Sequence, residues 1–146
     1  MKPEVNDITN CTNMKLRKAT RLVTQAYDTA MQSTGLKATQ FTLLATLRGL
    51  GNPALSKLAE AMVMDRTTLT RNLKPLVKKG LIRIGTEQDQ RVRQIQLTPQ
   101  GRQLLDEAIP QWQQIQNRVV ECLGQARWAR FVEDLDTTIE VMKAAK

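Results

Sequence analysis

The chain has 146 residues, a net charge of +8, no histidine and two cysteines, and 41% of it is hydrophobic. A core can therefore form, while a zinc finger and imidazole catalysis are excluded. We find no nucleophile–base pair, metal cluster or glycine-rich phosphate loop, so we expect neither an enzyme nor a cofactor. The first residues lack the apolar segment of a signal peptide, and no apolar run reaches the roughly 20 residues of a membrane span. We therefore expect a cytoplasmic protein without a membrane partner.

The positive charge is concentrated in the middle of the chain. Between Arg66 and Arg93 there are eight basic and two acidic residues, a net charge of +6, whereas the segment from Asp106 to Lys146 has a net charge of −2. A basic segment of this kind favours an anionic partner such as nucleic acid.

The first three predicted elements are helices. Apolar residues recur every three or four positions over residues 12–33, which predicts a helix with one buried stripe that ends before Gly35. Thr39 is the predicted N-cap of a second helix, which buries Phe41 and Leu44. Ser56 is the predicted N-cap of a short third helix.

The fourth helix begins within the stretch MDRTTLTRNL, which runs from Met64 to Leu73. Asp65 is expected to cap the N–H of Thr68, and Pro75 to bend the helix. The residues expected on the buried face are Leu69, Leu73, Leu76 and Val77. The residues expected on the outer faces are Thr67, Thr68, Thr70, Arg71 and Lys74.

After this helix the apolar period changes to two. The stretches LIRIG (81–85) and VRQIQL (92–97) alternate and are joined by the polar TEQDQR, which predicts a β-hairpin. Thr98 as N-cap and Pro99 at the first helical position then predict a long helix that Pro110 kinks and Gly124 ends, followed by a last helix. The predicted fold class is mainly α with a small β-hairpin.

A short helix, a turn, a helix with a polar face and a hairpin together predict a winged helix-turn-helix. Threonine hydroxyls can contact phosphates and base edges, and Arg71 can bind guanine through two hydrogen bonds. Two structural alternatives exist, a solvated polar helix face and a hairpin whose charges protect an edge strand. The local charge of +6 favours double-stranded DNA over both.

The residues of the predicted winged helix-turn-helix resemble those of a known family. The segment from Leu55 to Gly101 resembles the MarR family of bacterial transcription regulators in LAEAM…DRTTLTR, in GLI after the recognition helix, in DQR of the wing and in LTPQG. The resemblance implies one domain over residues 1–146, with a winged helix-turn-helix lobe at 35–98 and dimerisation helices at 12–33 and 99–145. It also implies a homodimer on a pseudo-palindromic operator, and a repressor that a small anionic aromatic ligand releases from DNA.

Three sets of site residues follow from the pattern and the resemblance. The candidate DNA-binding residues are Ser56, Arg66, Thr67, Thr68, Thr70, Arg71, Lys74, Asp89, Arg91 and Arg93. The family layout alone suggests a ligand pocket made by Arg17, Arg21, Tyr27, Phe41 and Trp112, although aromatic residues at helical spacing are more often core. Cys11 precedes three cations at a helix start and is a candidate redox sensor, with an inert thiol as the alternative. Cys122 is expected in the core.

The apolar stripe from Leu104 to Leu123 is longer than one winged-helix lobe needs to cover, which independently favours a dimer. An intramolecular bundle with the first and last helices is the alternative. The alternatives to a ligand-released repressor are a redox-responsive regulator that senses through Cys11, an architectural DNA-binding protein and a winged helix that binds another protein.

Overall fold

The computed structural model describes residues 1–85 and 94–146 and confirms the predicted fold class. The helices are α1 (Thr12–Ala30), α2 (Ala38–Leu50), α3 (Leu55–Ala61), α4 (Arg66–Lys78), α5 (Pro99–Leu123) and α6 (Gln125–Ala144). The strands are β1 (Ile82–Ile84) and β2 (Ile95–Leu97), which pair antiparallel with Ile82 opposite Leu97. Short 3-10 helices lie at Ile8–Asn10 and Gln32–Thr34. The order of elements is the one that the sequence predicts.

Two predicted helix starts are wrong because tertiary contacts fix them. Helix α2 begins at Ala38, before the predicted cap Thr39, and the Ala38 N–H donates to the side chain of Asp28 at 2.7 Å. Helix α3 begins after Ala54, which forms a β-bridge with Gln94, so Ser56 lies inside the first turn rather than at the cap. At α2 this bond acts together with a local one, because the side chain of Gln40 accepts from the N–H of Lys37 at 3.1 Å, whereas at α3 the partner is distant in the sequence.

The core joins α2, α3, α4, the hairpin and the N-terminal half of α5. Its fully buried leucines include Leu44, Leu58 and Leu105, and each contributes about 1.5–3 kcal/mol of transfer free energy. Val77, which the apolar pattern places on the buried face of α4, is instead 42% exposed. The inward face of α4 is therefore narrower than this pattern suggests.

The turn between α3 and α4 is a Schellman motif built on a strained residue. The N–H of Val63 donates to the carbonyl of Glu60 at 3.1 Å, and the N–H of Met64 donates to that of Ala59 at 2.9 Å. Val63 has a φ of +52°, a left-handed conformation that costs a β-branched residue about 1–2 kcal/mol. The turn brings the start of α4 into place at this local cost.

The first turn of α5 packs directly on the segment that follows α4. The hydroxyl of Thr98 accepts from the N–H of Gly101 at 3.0 Å and donates to the carbonyl of Gly80 at 2.6 Å. The N–H of Thr98 donates to the carbonyl of Leu81 at 3.1 Å. Thr98 is thus the N-cap of α5, as predicted, and through Gly80 it also fixes the end of α4. We call the residues Gly80, Leu81, Thr98 and Gly101 the α4–α5 junction.

Helices α1 and α6 contain no fully buried residue in the single chain. The buried stripe predicted over residues 12–33 is therefore confirmed only at its C-terminal end, where Met31 is buried and Tyr27 packs against the core, whereas Leu22 is 70% exposed. Phe131 and Met142 of α6 are also exposed, and Cys122 near the end of α5 is exposed rather than in the core. Within residues 1–85 and 94–146, no helix combines the length and the apolar character needed to cross a bilayer.

The α4–α5 junction predicts that Gly101→Ala destabilises the fold. A Cβ at this position would lie 2.0 Å from the carbonyl oxygen of Leu81, so the backbone must shift. We expect the free energy of unfolding, measured by urea titration with circular dichroism, to fall by about 1–3 kcal/mol. Gly49→Ala in α2 is the matched control, because its Cβ would meet nothing within 4 Å and should stabilise by about 0.5–1 kcal/mol. Equal midpoints for Gly101→Ala and the wild type would contradict the packing described.

Candidate nucleic-acid interface

The start of α4 is held by two hydrogen bonds within one residue pair. Asp65 Oδ1 accepts from the N–H of Thr68 at 2.8 Å, and Asp65 Oδ2 accepts from the Thr68 hydroxyl at 2.9 Å. These bonds, the backbone one first, lower the pKa of the Asp65 carboxyl below its usual value. The predicted cap is confirmed. The Thr68 hydroxyl proton is engaged in it, which separates Thr68 from the other threonines of α4.

The outer face of α4 forms a shallow basic groove. The groove has a volume of about 410 Å³. Its lining residues are Arg66, Thr67, Thr70, Arg71 and Lys74. All five are exposed, and all five are among the predicted DNA-binding residues. Three cations and two hydroxyls in one concave surface offer hydrogen-bond donors to phosphates and to the acceptor atoms of bases. We call this surface the α4 groove.

The buried face of α4 fixes the orientation of the α4 groove on the opposite side of the helix. Leu69, Leu73 and Leu76 are at most 1% exposed and pack in the core. Pro75 lies on the exposed side within the helix, which continues to Lys78. Proline has no N–H, so Pro75 cannot donate the helical hydrogen bond to the carbonyl of Arg71. This carbonyl, at the C-terminal end of the groove, therefore lacks the helical donor that another residue would supply.

Two polar side chains of α4 outside the groove contact other parts of the chain. The Asn72 amide donates to the sulfur of Met64 at 3.6 Å, back across the turn before α4. The ammonium group of Lys79, at the C-cap, donates to the carbonyl of Gly35 at 3.3 Å. The sequence pattern predicts neither contact. The one signal in the sequence is the position of Lys79 beside the helix end, where a cation is favoured.

The remaining predicted DNA-binding residues are placed only in part. Ser56 is exposed in the first turn of α3. Asp89, Arg91 and Arg93 lie outside the described residues. At the base of the hairpin, the guanidinium of Arg83 donates to the side chain of its cross-strand neighbour Gln96 at 2.9 Å.

The five predicted ligand-pocket residues do not form one described cavity. Phe41 is buried and stacks on Trp112, with ring centroids 6.0 Å apart and an interplanar angle of 18°. The Tyr27 hydroxyl donates to Gln116 on α5, and burial raises the pKa of this hydroxyl. Arg17 and Arg21 are exposed on α1. The aromatic members thus contribute to packing between α1, α2 and α5.

A second groove, larger than the α4 groove, lies between α1 and the C-terminal half of α5. Its volume is about 640 Å³. The lining is mostly aliphatic, with Gln25, Thr29 and Arg118 as polar members. Cys122 also lines it, whereas Cys11 is exposed at the N-cap position of α1. We call this surface the α1–α5 groove. In the described ranges, no group of three or more acidic, cysteine or histidine residues could hold a metal ion.

Comparison with known proteins links this geometry to transcription regulators. Residues 36–92 match the model of the MarR family. The regulator PecS of Dickeya dadantii is 34% identical over 98 residues, which are 64% of this chain and 59% of PecS. The match thus spans less than two thirds of that curated relative.

Solved structures are similar over nearly the whole chain. The Mycobacterium tuberculosis transcriptional regulator MosR, in complex with DNA, has a TM-score of 0.86 and 35% identity, and the match covers 94% of this chain and 99% of MosR. BpsR of Bordetella bronchiseptica, whose DNA binding is regulated by 6-hydroxynicotinic acid, has a TM-score of 0.80 and 25% identity, with 94% and 97% covered. Both the fold and these relatives are those of transcriptional regulators rather than enzymes.

The cap of α4 predicts a pH-dependent loss of stability in Asp65→Ala. Because the pKa of Asp65 is lowered in the folded state, its stabilising effect is present above its unfolded pKa and is lost as the pH falls through the folded pKa. We expect the variant to melt below the wild type at pH 7, and this difference to shrink at a pH below the folded pKa, because the protonated carboxyl keeps its acceptor oxygen but loses its charge. Asp65→Asn, an equally good cap that does not titrate, is the control and should keep most of the stability. Equal melting temperatures of Asp65→Ala and the wild type at pH 7 would contradict the capping role.

Proposed function

Because the chain belongs to the MarR family of transcriptional regulators, we propose that it binds a pseudo-palindromic DNA operator as a homodimer and represses transcription. In this proposal residues 35–98 form the DNA-binding lobe, and residues 12–33 and 99–145 form the dimerisation helices. The α4 groove enters the major groove of each half-site. The wing, with Arg91, contacts the neighbouring minor groove.

The α4 groove is the observation that carries the DNA-binding proposal. An exposed helix face with Arg66, Arg71 and Lys74 neutralises phosphates, and the forked guanidinium of an arginine matches the O6 and N7 atoms of guanine. Its hydroxyls, Thr67 and Thr70, add short contacts that fit close to the bases. The buried leucines behind this face hold it in a fixed orientation, which sequence-specific recognition requires.

The exposed apolar surfaces of α1 and α6 support the dimer. Each is a helix of about 20 residues with apolar side chains and no fully buried residue in the single chain. The α1–α5 groove is lined mainly by aliphatic side chains, and Leu22 at its edge is 70% exposed. Apolar surface of this extent outside the core favours burial against a second copy.

Release of DNA by a small anionic aromatic ligand is the regulatory part of the proposal. It is supported by the similarity to BpsR, whose DNA binding is regulated by 6-hydroxynicotinic acid. Arg17 and Arg21 lie one turn apart on α1, are exposed, and offer guanidinium groups to a carboxylate. The half-buried Tyr27 and Trp112 and the buried Phe41 lie in the packing between α1, α2 and α5 and would supply the aromatic part of such a site.

The DNA-binding proposal predicts different effects for two arginines. Arg71→Ala should weaken operator binding by about 1–3 kcal/mol and relax discrimination at one base pair per half-site. Arg91→Ala should weaken binding to operator and to scrambled DNA by similar factors. It should also flatten the slope of log affinity against log salt by about one for each phosphate that the variant no longer neutralises. Titrations at several salt concentrations on both duplexes measure these effects.

Lys57→Ala is the charge-matched control, since it removes one exposed cation from α3 outside the α4 groove and should change the affinities little. The proposed base recognition by α4 is wrong if Arg71→Ala keeps the full base preference of the wild type.

The dimer proposal predicts a molar mass of twice the 16.5 kDa chain mass by light scattering at micromolar concentration. Leu22→Asp should shift this mass toward the monomer, because an aspartate is tolerated at an exposed position of a single chain but not in an apolar interface. Thr42→Asp, at an exposed position of α2 in the proposed DNA-binding lobe, is the control and should remain dimeric. A monomeric wild type that still binds a palindrome tightly would overturn the dimer.

A further inference from the structure

The carboxylate of Asp28 ties α1 to the start of α2. Its Oδ1 accepts a hydrogen bond from the N–H of Ala38, the first residue of α2, at 2.7 Å. This N–H is one of the donors that a helix leaves without an intrahelical partner. The preceding residue, Lys37, has no acceptor in its side chain, so the cap is supplied by another helix.

Helix α4 also contacts the connection between α1 and α2. Lys79, the C-cap of α4, donates from its ammonium group to the carbonyl of Gly35 at 3.3 Å. Gly35 lies between α1 and α2, three residues before Ala38. The connection is therefore held by α1 through Asp28 and by α4 through Lys79.

The connection itself has little freedom to absorb a change in angle. The hydroxyl of Thr34 donates to the carbonyl of Met31 at 2.7 Å and accepts from the N–H of Leu36 at 3.2 Å. Met31 and Leu36 are at most 2% exposed and belong to the core. A rotation of α1 is thus passed on to α2 and α4 rather than taken up between them.

We propose that Asp28 is a positioning residue that sets the angle between α1 and the DNA-binding helices, and thereby the half-site spacing that the dimer accepts. This inference rests on the proposed function, in which two copies joined through α1 each present one α4 groove. In such a dimer the distance between the two grooves depends on the angle between α1 and α2, and that distance must match about one turn of DNA. Asp28 touches no DNA in this proposal and acts through Ala38.

The negative charge of Asp28 strengthens this contact. A carboxylate at a helix N-terminus interacts favourably with the partial positive charge there. An asparagine would keep the acceptor oxygen but lose the charge, and an alanine would lose both. The three side chains therefore form a graded series at an otherwise unchanged position.

The test compares wild type, Asp28→Asn and Asp28→Ala on four DNA duplexes. These are an operator selected by the wild type from random sequence, the same operator with one base pair inserted or removed between the half-sites, and a single half-site. The wild type should prefer the native spacing. Asp28→Ala should bind up to about thirtyfold more weakly at that spacing, the limit reached when the whole free energy of the lost helix cap is taken from DNA binding. Its affinity for the single half-site should stay within about twofold of the wild type.

The ratio of affinities for native and altered spacing should consequently fall toward one in Asp28→Ala. The ratio for Asp28→Asn should lie between those of the wild type and Asp28→Ala. Glu4→Ala, which removes an exposed carboxylate from the segment before α1, is the control and should keep the wild-type ratio. The inference is overturned if Asp28→Ala weakens binding to all four duplexes by one common factor, since that would show a role in folding only.

An unchanged spacing ratio in Asp28→Ala would overturn it as well. A wild type that is monomeric, or that shows no dependence on spacing, would overturn the proposed dimer and this inference with it, and light scattering on the same samples distinguishes that case.

Discussion

The close approach of α5 to the carbonyl of Leu81 is the constraint on which the rest of the structure depends. Only a glycine at position 101 allows it, and Thr98 bonds to both sides of the contact. The end of α4, the first strand of the hairpin and the long helix α5 therefore meet at one point. Because these elements share backbone hydrogen bonds, the orientation of the α4 groove is coupled directly to the helix that carries the predicted dimer interface.

The threonines of α4 divide between structure and recognition. Thr68 is engaged with Asp65 and fixes the first turn, while Thr67 and Thr70 line the α4 groove. Their modest cost in helix propensity is offset by the cap and by the buried leucines on the opposite face. A polar, β-branched helix start of this kind is consistent with a surface shaped for contact with a partner.

Local signals in the sequence predict most of the fold. The caps at Asp65 and Thr98 and the change of period after Gly80 locate α4, the hairpin and α5 because these features act within a few residues. The predicted starts of α2 and α3 are wrong because Asp28 and the bridge to Gln94 act over longer distances. The α4 groove is predictable as a set of residues, whereas the contacts of Lys79 and Asn72 depend on packing that no periodicity reveals.

Because Val63 has a left-handed backbone conformation, the turn between α3 and α4 opens at a lower free-energy cost than the helices do. Most of α3 and α4 is held by buried leucines, but the turn between them carries a conformational strain that is released as soon as it opens. Local opening therefore costs less free energy at this turn than in the helices on either side. The strain is consequently confined to the short segment between the two helices, while the buried leucines keep α4 in place on the core beneath it.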